Sequence, residues 1–379
     1  MVSQSRADEA LGNILFIGKR FYTNKDALEE RFGRIFHLPS EWALADHSVL
    51  LWLLDYHSRK PARQMESGME IASTPVPSAA MARVAWAAFS RFRPKLIVAS
   101  GDCYIGLLGL VLARLTGAKF VFDIYDKYDE FGGYRRPLGW DLFGFLIRRA
   151  DLCLYASRAL AGRLSQARPE GPIVVVANGV DGNMFHPMVA AECRAVLGFD
   201  AGRIVVGYFG GMEPDRGVQD LVDAIELLRK EGHEILMLVC GKEHPATKLS
   251  HDWIDYRGMV PHEKMPLYIN ACDLLVVPYR LSEFMDMGAS CKIAEYLMCR
   301  RPIVSTTTPN LTANFPDQAA ELGAALCRPG NPRDLARAIS YQLGQKIVAS
   351  APAGFTWPEI AAKALADIGR NAKEGSSVR

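Results

Sequence analysis

The chain has 379 residues, 49% hydrophobic and 23% charged, enough for two domains of ordinary size. A formal net charge of +2 gives no bulk attraction to nucleic acid, so nucleic acid is excluded as the expected partner. The eight cysteines (Cys103, Cys153, Cys193, Cys240, Cys272, Cys291, Cys299 and Cys327) form no CxxC pair and several sit in apolar runs, which argues for reduced core thiols and against a disulfide framework or a zinc site.

The opening MVSQSRADEALGNILFIG lacks a long apolar leader segment, and no apolar run is long enough to span a bilayer. A cytoplasmic protein is expected, with peripheral contact at the inner face of the plasma membrane as an open option. Asn13 to Gly18 reads as a first strand, followed by the basic loop Gly18-Lys19-Arg20-Phe21-Tyr22. Because this loop lacks GxGxxG, a hydride-transferring dinucleotide enzyme is disfavoured. Val49 to Asp55 is a second strand, broken at Tyr56-His57-Ser58, and Lys60 to Pro77 reads as irregular. Ala79 to Phe92 is a helix and Leu96 to Ala99 a strand. Ser100-Gly101-Asp102 turns into the helix Tyr104 to Leu115. Lys119 to Asp123 is a strand, Leu138 to Arg149 an apolar helix, Cys153 to Ala156 a strand with Ser157 capping the next helix, and Ile173 to Ala177 a strand.

The rhythm restarts at Arg203. Strand Ile204 to Tyr208 runs into Gly210-Gly211 and helix Val218 to Lys230; strands Glu234 to Cys240 and Asp255 to Met259 follow, then helix His262 to Ile269. Strands alternating with helices imply parallel sheets covered on both faces. The expectation is α/β, two doubly wound Rossmann-like domains facing a central cleft. They comprise residues 1–186 with a returning helix at 355–372, and residues 187–354, with Met184 to Ala190 as linker.

The most informative stretch is Ala271 to Ser305. Leu274 to Val277 is a buried strand, ended by Pro278-Tyr279. An irregular segment with Glu283, Asp286, Gly288 and Ala289 leads to a helix starting near Ser290, and a strand from Pro302 to Ser305 closes the unit. Such a helix start suits a diphosphate. Lys292 sits in its first turn, where a cation opposes the helix dipole unless an anion binds there. Glu295, one turn on, is placed to reach ribose hydroxyls. The plain alternative is a solvated Lys and Glu on an ordinary crossover helix.

Taken together, these residues resemble a glycosyltransferase of the GT-B fold, near the large GT4 group, over almost the whole length. The resemblance is carried by Ala150-Asp151 through Ser157, by Asn178-Gly179-Val180-Asp181 with Phe185 and Pro187, and by Gly207 through Arg216-Gly217. It continues through Asp255 to Val260, Ala271-Asp273 through Pro278, and Phe355-Thr356-Trp357. One departure stands out. GT4 retaining enzymes usually carry two glutamates eight residues apart in the donor loop; Glu295 fits the second, but Met287 occupies the first. The run Ser290-Cys291-Lys292-Ile293-Ala294-Glu295-Tyr296 is similar instead to a K-l-x-E-Y variant in bacterial polysaccharide-assembly transferases, including the inverting glucuronosyltransferase of xanthan assembly. In that enzyme a Lys here contacts the donor diphosphate and an Asp beyond a strand of the first domain is the base.

The resemblance implies a nucleoside-diphosphate sugar donor, a UDP-sugar by preference, and a saccharide or lipid-linked acceptor. It places Arg216, Lys292 and the amides of Gly210, Gly211, Gly288, Ala289 and Ser290 on the departing diphosphate. Met259-Val260 would lie against the nucleobase, and Tyr279 and Glu283 along the donor sugar. Asp126 is the first choice of base and Asp102 the second. Tyr125 or Asp126 stands where the family usually has His, which leaves retention or inversion open. Lys19, Arg20, Asp102 and Tyr125 are the acceptor-side candidates. Transfer without a metal or other cofactor is expected, since Asp123, Asp126, Asp129 and Glu130 are not spaced as a DxD. Aromatic residues flanked by arginines from Tyr134 to Arg149 suit an anionic membrane surface, or equally a core helix with basic ends. Two other functions keep the fold: a degenerate nucleotide-sugar-binding subunit, for which Met287 leaves room, and a sugar-nucleotide epimerase.

Overall fold

The computed structural model describes residues 11–22, 25–57, 60–131, 133–136, 139–200 and 202–374. The stretch before Leu11, Ser58 in the expected break, the expected helix start at Leu138 and the polar tail GSSVR lie outside the described residues. The chain divides into two compact units, Met1–Gly179 with Thr356–Arg379, and Val180–Phe355.

The first unit runs β1 (Ile14–Lys19), a short hairpin β2 (Phe21–Tyr22) and β3 (Lys25–Asp26), α1 (Gly33–Leu44) and β4 (Val49–Asp55). β5 (Ala62–Glu66), β6 (Met69–Pro75) and α2 (Ala79–Ala87) follow, α2 ending in a π turn at Ala88–Phe92. Then come β7 (Leu96–Ser100), α3 (Cys103–Thr116), β8 (Lys119–Ile124), α4 (Leu142–Arg149), β9 (Leu152–Tyr155), α5 (Arg158–Leu164) and β10 (Ile173–Val175). Eight strands form one sheet in the order β10-β9-β8-β7-β1-β4-β6-β5. All neighbours pair parallel except the edge strand β5. β4 is buried at all seven residues and apolar from Val49 to Leu54, as a strand covered on both faces must be.

Lys60 to Pro77 is not irregular. It is the β5–β6 hairpin, turned by Ser67-Gly68 with φ of 51° and 79°, the left-handed pair of a two-residue turn. β6 carries few large apolar residues, and its burial comes from pairing with β4. α1 escaped recognition for a related reason: it holds Pro39 and its N-cap Phe32 makes no side-chain cap.

The second unit runs α6 (Ala190–Leu197), β11 (Ile204–Phe209), α7 (Val218–Lys230), β12 (Ile235–Cys240), β13 (Ile254–Tyr256), α8 (Met265–Ala271) and β14 (Leu274–Val277). It continues with α9 (Glu283–Met287), α10 (Cys291–Met298), β15 (Ile303–Thr306), α11 (Pro309–Thr312), α12 (Pro316–Leu322), β16 (Leu326–Cys327) and α13 (Pro332–Gln345). Its parallel sheet has the order β13-β12-β11-β14-β15-β16. In α7 Val218, Leu221, Val222, Ile225 and Leu228 are buried, the helical spacing that lays one stripe on a sheet.

The last helix, α14 (Trp357–Glu374), returns to the first unit's core through Trp357, Ile360, Ala361, Ala364 and Ile368. The division falls at Gly179 and Val180, ahead of the expected boundary after residue 186, because Val180 and Phe185 are buried in the second unit's core. The eight cysteines are unpaired, and all but Cys291 are buried. Among the described residues no helix is long and apolar enough to cross a membrane.

Candidate functional site

In a doubly wound sheet, ligands bind beyond the carboxyl ends of the strands where the strand order reverses. In the second unit that point lies between β11 and β14, since the chain steps from β11 to β12 on one side and later to β14 on the other. β11 ends at Phe209 and runs into Gly210-Gly211; β14 ends at Val277 and runs into Pro278-Tyr279. α10 is fixed against both ends. The Tyr296 hydroxyl accepts from Phe209 N at 3.1 Å, and the Tyr279 and Ser290 hydroxyls share a hydrogen bond at 2.9 Å.

Lys292 therefore projects into the switch point. Its ammonium lies 5.3 Å from the Tyr208 ring centroid and 5.5 Å from that of Tyr279. Gly210, at φ 147°, is held to glycine both by this backbone conformation and by the ammonium, which a Cβ would strike. Arg216 lies against the same ring, with its guanidinium carbon 5.6 Å from the Tyr279 ring centroid. Arg216 Nε is shielded from solvent and has no hydrogen-bond partner among the described residues; the nearest carboxylate oxygen among them, on Glu213, is 3.8 Å away. A buried guanidinium donor left unpaired is costly, and an anionic acceptor placed there would relieve that cost.

Electrostatics match this geometry. Burial alone would raise the Tyr279 phenol. The Lys292 and Arg216 charges outweigh it, helped by hydrogen bonds with Ser290 and Lys292, and hold Tyr279 below the ordinary tyrosine value. Tyr208 moves the other way, raised by burial and by Tyr279, and its hydroxyl donates to Gly211 O at 2.6 Å.

Of the amides expected at a phosphate, Gly210 N donates to Cys240 O at 2.8 Å, Gly288 N to Met285 O at 3.2 Å and Ser290 N to Asn310 Oδ1 at 3.0 Å. These three are spent within the protein, which corrects their expected role. Gly211 N has no acceptor among the described residues. Ala289 lies between Gly288 and Ser290 on the approach to α10.

Val260 packs on the core while Met259 is 66% exposed. Their segment begins where Gly241 N donates to Gly258 O at 2.7 Å, and it ends at His262, whose Nε2 is 3.1 Å from Glu295 Oε1. Met259-Val260 thus spans from the loop beside Gly210 to Glu295. Glu283 is exposed on the first turn of α9. Sequence reasoning missed Tyr208, His262 and Asn310; a buried polar residue just past a strand, as Asn310 is past β15, was the available signal.

In the first unit the order reverses between β1 and β7. Lys19 ends β1, its ammonium 5.5 Å from the Tyr56 ring centroid and 5.8 Å from that of Phe131. Asp102 follows β7 and caps α3 by accepting from Ile105 N at 2.9 Å. The carboxylate also lies beside the Tyr56 phenol, which shielding of its hydroxyl and then the Asp102 charge push up. Lys19, Tyr56 and Asp102 therefore form one cluster. Tyr125 packs against the Tyr22 and Tyr128 rings and donates to Gly101 O at 3.3 Å. Asp126, just past β8, accepts from Lys127 N at 2.8 Å.

Arg20 does not join the cluster. It is bound to Asp26 at 2.8 Å and Asp55 at 3.2 Å, so the expected acceptor role is corrected to a structural ion pair. The acidic run is also dispersed. Asp123 is buried against Arg34 at 2.7 Å, Asp129 meets Arg136 at 3.2 Å and Glu130 pairs with Lys127. Among the described residues no group of three or more His, Cys, Asp or Glu converges.

Known proteins place the chain in a family. A family profile described as "Glycosyl transferases group 1" matches residues 203–345, and one described as "Glycosyl transferase 4-like domain" matches residues 34–179. The chain belongs to the GT4-like glycosyltransferases. This glycosyltransferase is 26% identical over 224 residues to a D-inositol 3-phosphate glycosyltransferase of Segniliparus rotundus, covering 52% of the chain and 49% of the relative. It is 29% identical over 164 residues to the lipopolysaccharide core biosynthesis mannosyltransferase LpsB of Rhizobium meliloti, covering 40% of the chain and 44% of the relative. The matched stretch spans about half the length of these two relatives. Among solved structures, Anabaena Alr3699/HepE in complex with UDP aligns with a TM-score of 0.64 at 18% identity, over 97% of this chain and 100% of that one. The fold is GT-B.

Proposed function

We propose that this glycosyltransferase moves a sugar from a nucleoside-diphosphate sugar, with uridine as the base, to a saccharide or lipid-linked acceptor in bacterial polysaccharide or glycolipid synthesis. The observation that carries the donor half is the pair of cations at the β11–β14 switch point, one with a buried, unpartnered Nε. The choice of uridine follows the UDP bound to the Anabaena neighbour, and the acceptor classes follow the names of the relatives.

Breaking the sugar–phosphate bond puts negative charge on the diphosphate as the anomeric carbon turns cationic. Lys292, Arg216 and the Gly211 amide are the groups proposed to take up that charge, already oriented and needing no proton. Glu295, oriented by His262, is the proposed ribose ligand, and Met259-Val260 the wall for the base. Glu283 is assigned to the donor sugar, whereas Tyr279, fully buried with its hydroxyl bonded to Ser290, is corrected from a sugar contact to a support for the two cations. The acceptor hydroxyl oxygen forms the new bond to the anomeric carbon. On an inverting route its proton passes to Asp126, while Lys19, Asp102 and Tyr125 hold the acceptor.

Calorimetric titration with UDP tests the donor half. Lys292→Ala and Arg216→Ala should each weaken UDP by about 30- to 100-fold, the loss of a charge-assisted contact. Wild-type affinity in both variants would remove the diphosphate from this site.

A further inference from the structure

Three helices lie in a row on one face of the first unit's sheet. The crossovers from β6 to β7, β7 to β8 and β8 to β9 step in one direction along the strand order, so right-handed connections put α2, α3 and α4 on the same side. The π turn ending α2 packs beside α3, and α3 packs beside α4. α2 is an odd member of the row, because none of its residues is buried. Trp86 is 68% exposed, with the Phe89 ring 5.9 Å from it. On α3 Leu115 is 63% exposed, and with Val111, Trp140 and Phe145 it lines an apolar groove of about 390 Å³ between α3 and the start of α4.

The charge on α2 and α3 is of one sign. From Ile71 to Phe122 the only acid is Asp102, against six basic residues: Arg83, Arg91, Arg93, Lys95, Arg114 and Lys119. Asp102 is committed to the cap of α3. Asp141 caps α4, accepting from Gly144 N at 3.0 Å. Arg83, Arg91 and Arg114 are exposed and have no carboxylate partner among the described residues. Arg114 and Arg149 flank the groove, Arg149 with its guanidinium 5.6 Å from the Phe145 ring centroid. A solvated surface ordinarily intersperses both signs and keeps tryptophan inside. Exposed rings among unpaired arginines suit an interface that is apolar just below a layer of phosphates.

We infer that the α2–α3–α4 face of the first unit seats on an anionic phospholipid bilayer, with Trp86, Phe89 and Leu115 entering the headgroup layer and Arg83, Arg91 and Arg114 meeting lipid phosphates. The contact is independent of the donor chemistry proposed above, and none of these residues belongs to the donor or acceptor clusters.

Co-sedimentation of the full chain tests it, without donor or acceptor. The protein should pellet at low salt with vesicles of equimolar phosphatidylglycerol and phosphatidylcholine, but not with phosphatidylcholine alone. About 0.5 M NaCl should release most of it. The triple variant Arg83→Glu, Arg91→Glu, Arg114→Glu should lower the partition coefficient by on the order of 100-fold at an unchanged melting temperature. Trp86→Ser with Phe89→Ser should weaken binding even where salt is low. Three results would overturn the inference: no pelleting of the wild type at low salt, a triple variant that binds like wild type, or a concentration-dependent dimer that Trp86→Ser abolishes.

Discussion

Lys292 stands in the first turn of α10, where the helix dipole disfavours a cation, and it has no carboxylate partner among the described residues. Its neighbours are two aromatic faces and Gly210. A diphosphate bound as proposed would make the arrangement favourable, and Tyr279 would report its arrival. The phenol is held low by Lys292 and Arg216 against the effect of burial. A bound anion offsets both cations, so saturating UDP should move the alkaline transition of this tyrosine upward. Difference spectrophotometric titration, with Tyr279→Phe as the blank, reads the shift; a transition indifferent to UDP would place the nucleotide elsewhere. At the base the test is a split between steps. Asp126→Asn should lower transfer by about 100-fold or more while UDP affinity stays within twofold of wild type. Undiminished turnover would leave the proton to another group.

At the scale of elements, the strand–loop–helix–strand unit around the donor site was legible. β14 is an unbroken apolar run, and α10 buries Ile293, Ala294 and Leu297 at helical spacing. What lay between them was not. α9 is a single capped helical segment of five residues, fastened by Asn310 from beyond β15. The partners that define the site meet only through topology: Tyr208 reaches Lys292, and His262 reaches Glu295, because β11, β14 and the segment after β13 converge. Arg20 misled for the same reason, since Asp55 arrives on the neighbouring strand β4. The pattern of a segment reveals its buried face; it does not reveal which charged side chain another segment will consume. Asn310 makes this testable. It is buried, accepts from Ser290 N and donates to Met285 O, so it locks the end of α9 to the start of α10. Asn310→Ala strands Ser290 N and takes one of two donors from Met285 O, which keeps Gly288 N, a loss of about 2 kcal/mol. The melting temperature should fall by about 4 °C, and UDP should weaken with it as α10 loosens. A variant that melts and binds like wild type would show that the start of α10 is held by its own packing.

At the scale of the molecule, the chain enters and leaves the second unit at one place: Val180 N donates to Phe355 O at 2.8 Å. A unit whose ends meet, with its own sheet and core, has what it needs to fold alone. The first unit is not independent in this sense, because its core is completed by the last helix. Trp42 Nε1 donates to Ala361 O at 2.9 Å, the His37 ring stacks on Trp357 at 4.7 Å, and Ile360, Ala364 and Ile368 are buried there. Truncation should therefore act unequally. Residues 180–355 expressed alone should melt cooperatively and bind UDP within about tenfold of the full chain, a difference of about 1.4 kcal/mol, since every proposed diphosphate ligand lies within them. Residues 1–355, lacking α14, should lose the first unit's transition by calorimetry while keeping the second's. If the isolated second unit folds yet fails to bind UDP, the donor site takes essential ligands from the first unit and the assignment of Arg216 and Lys292 as its principal cations fails.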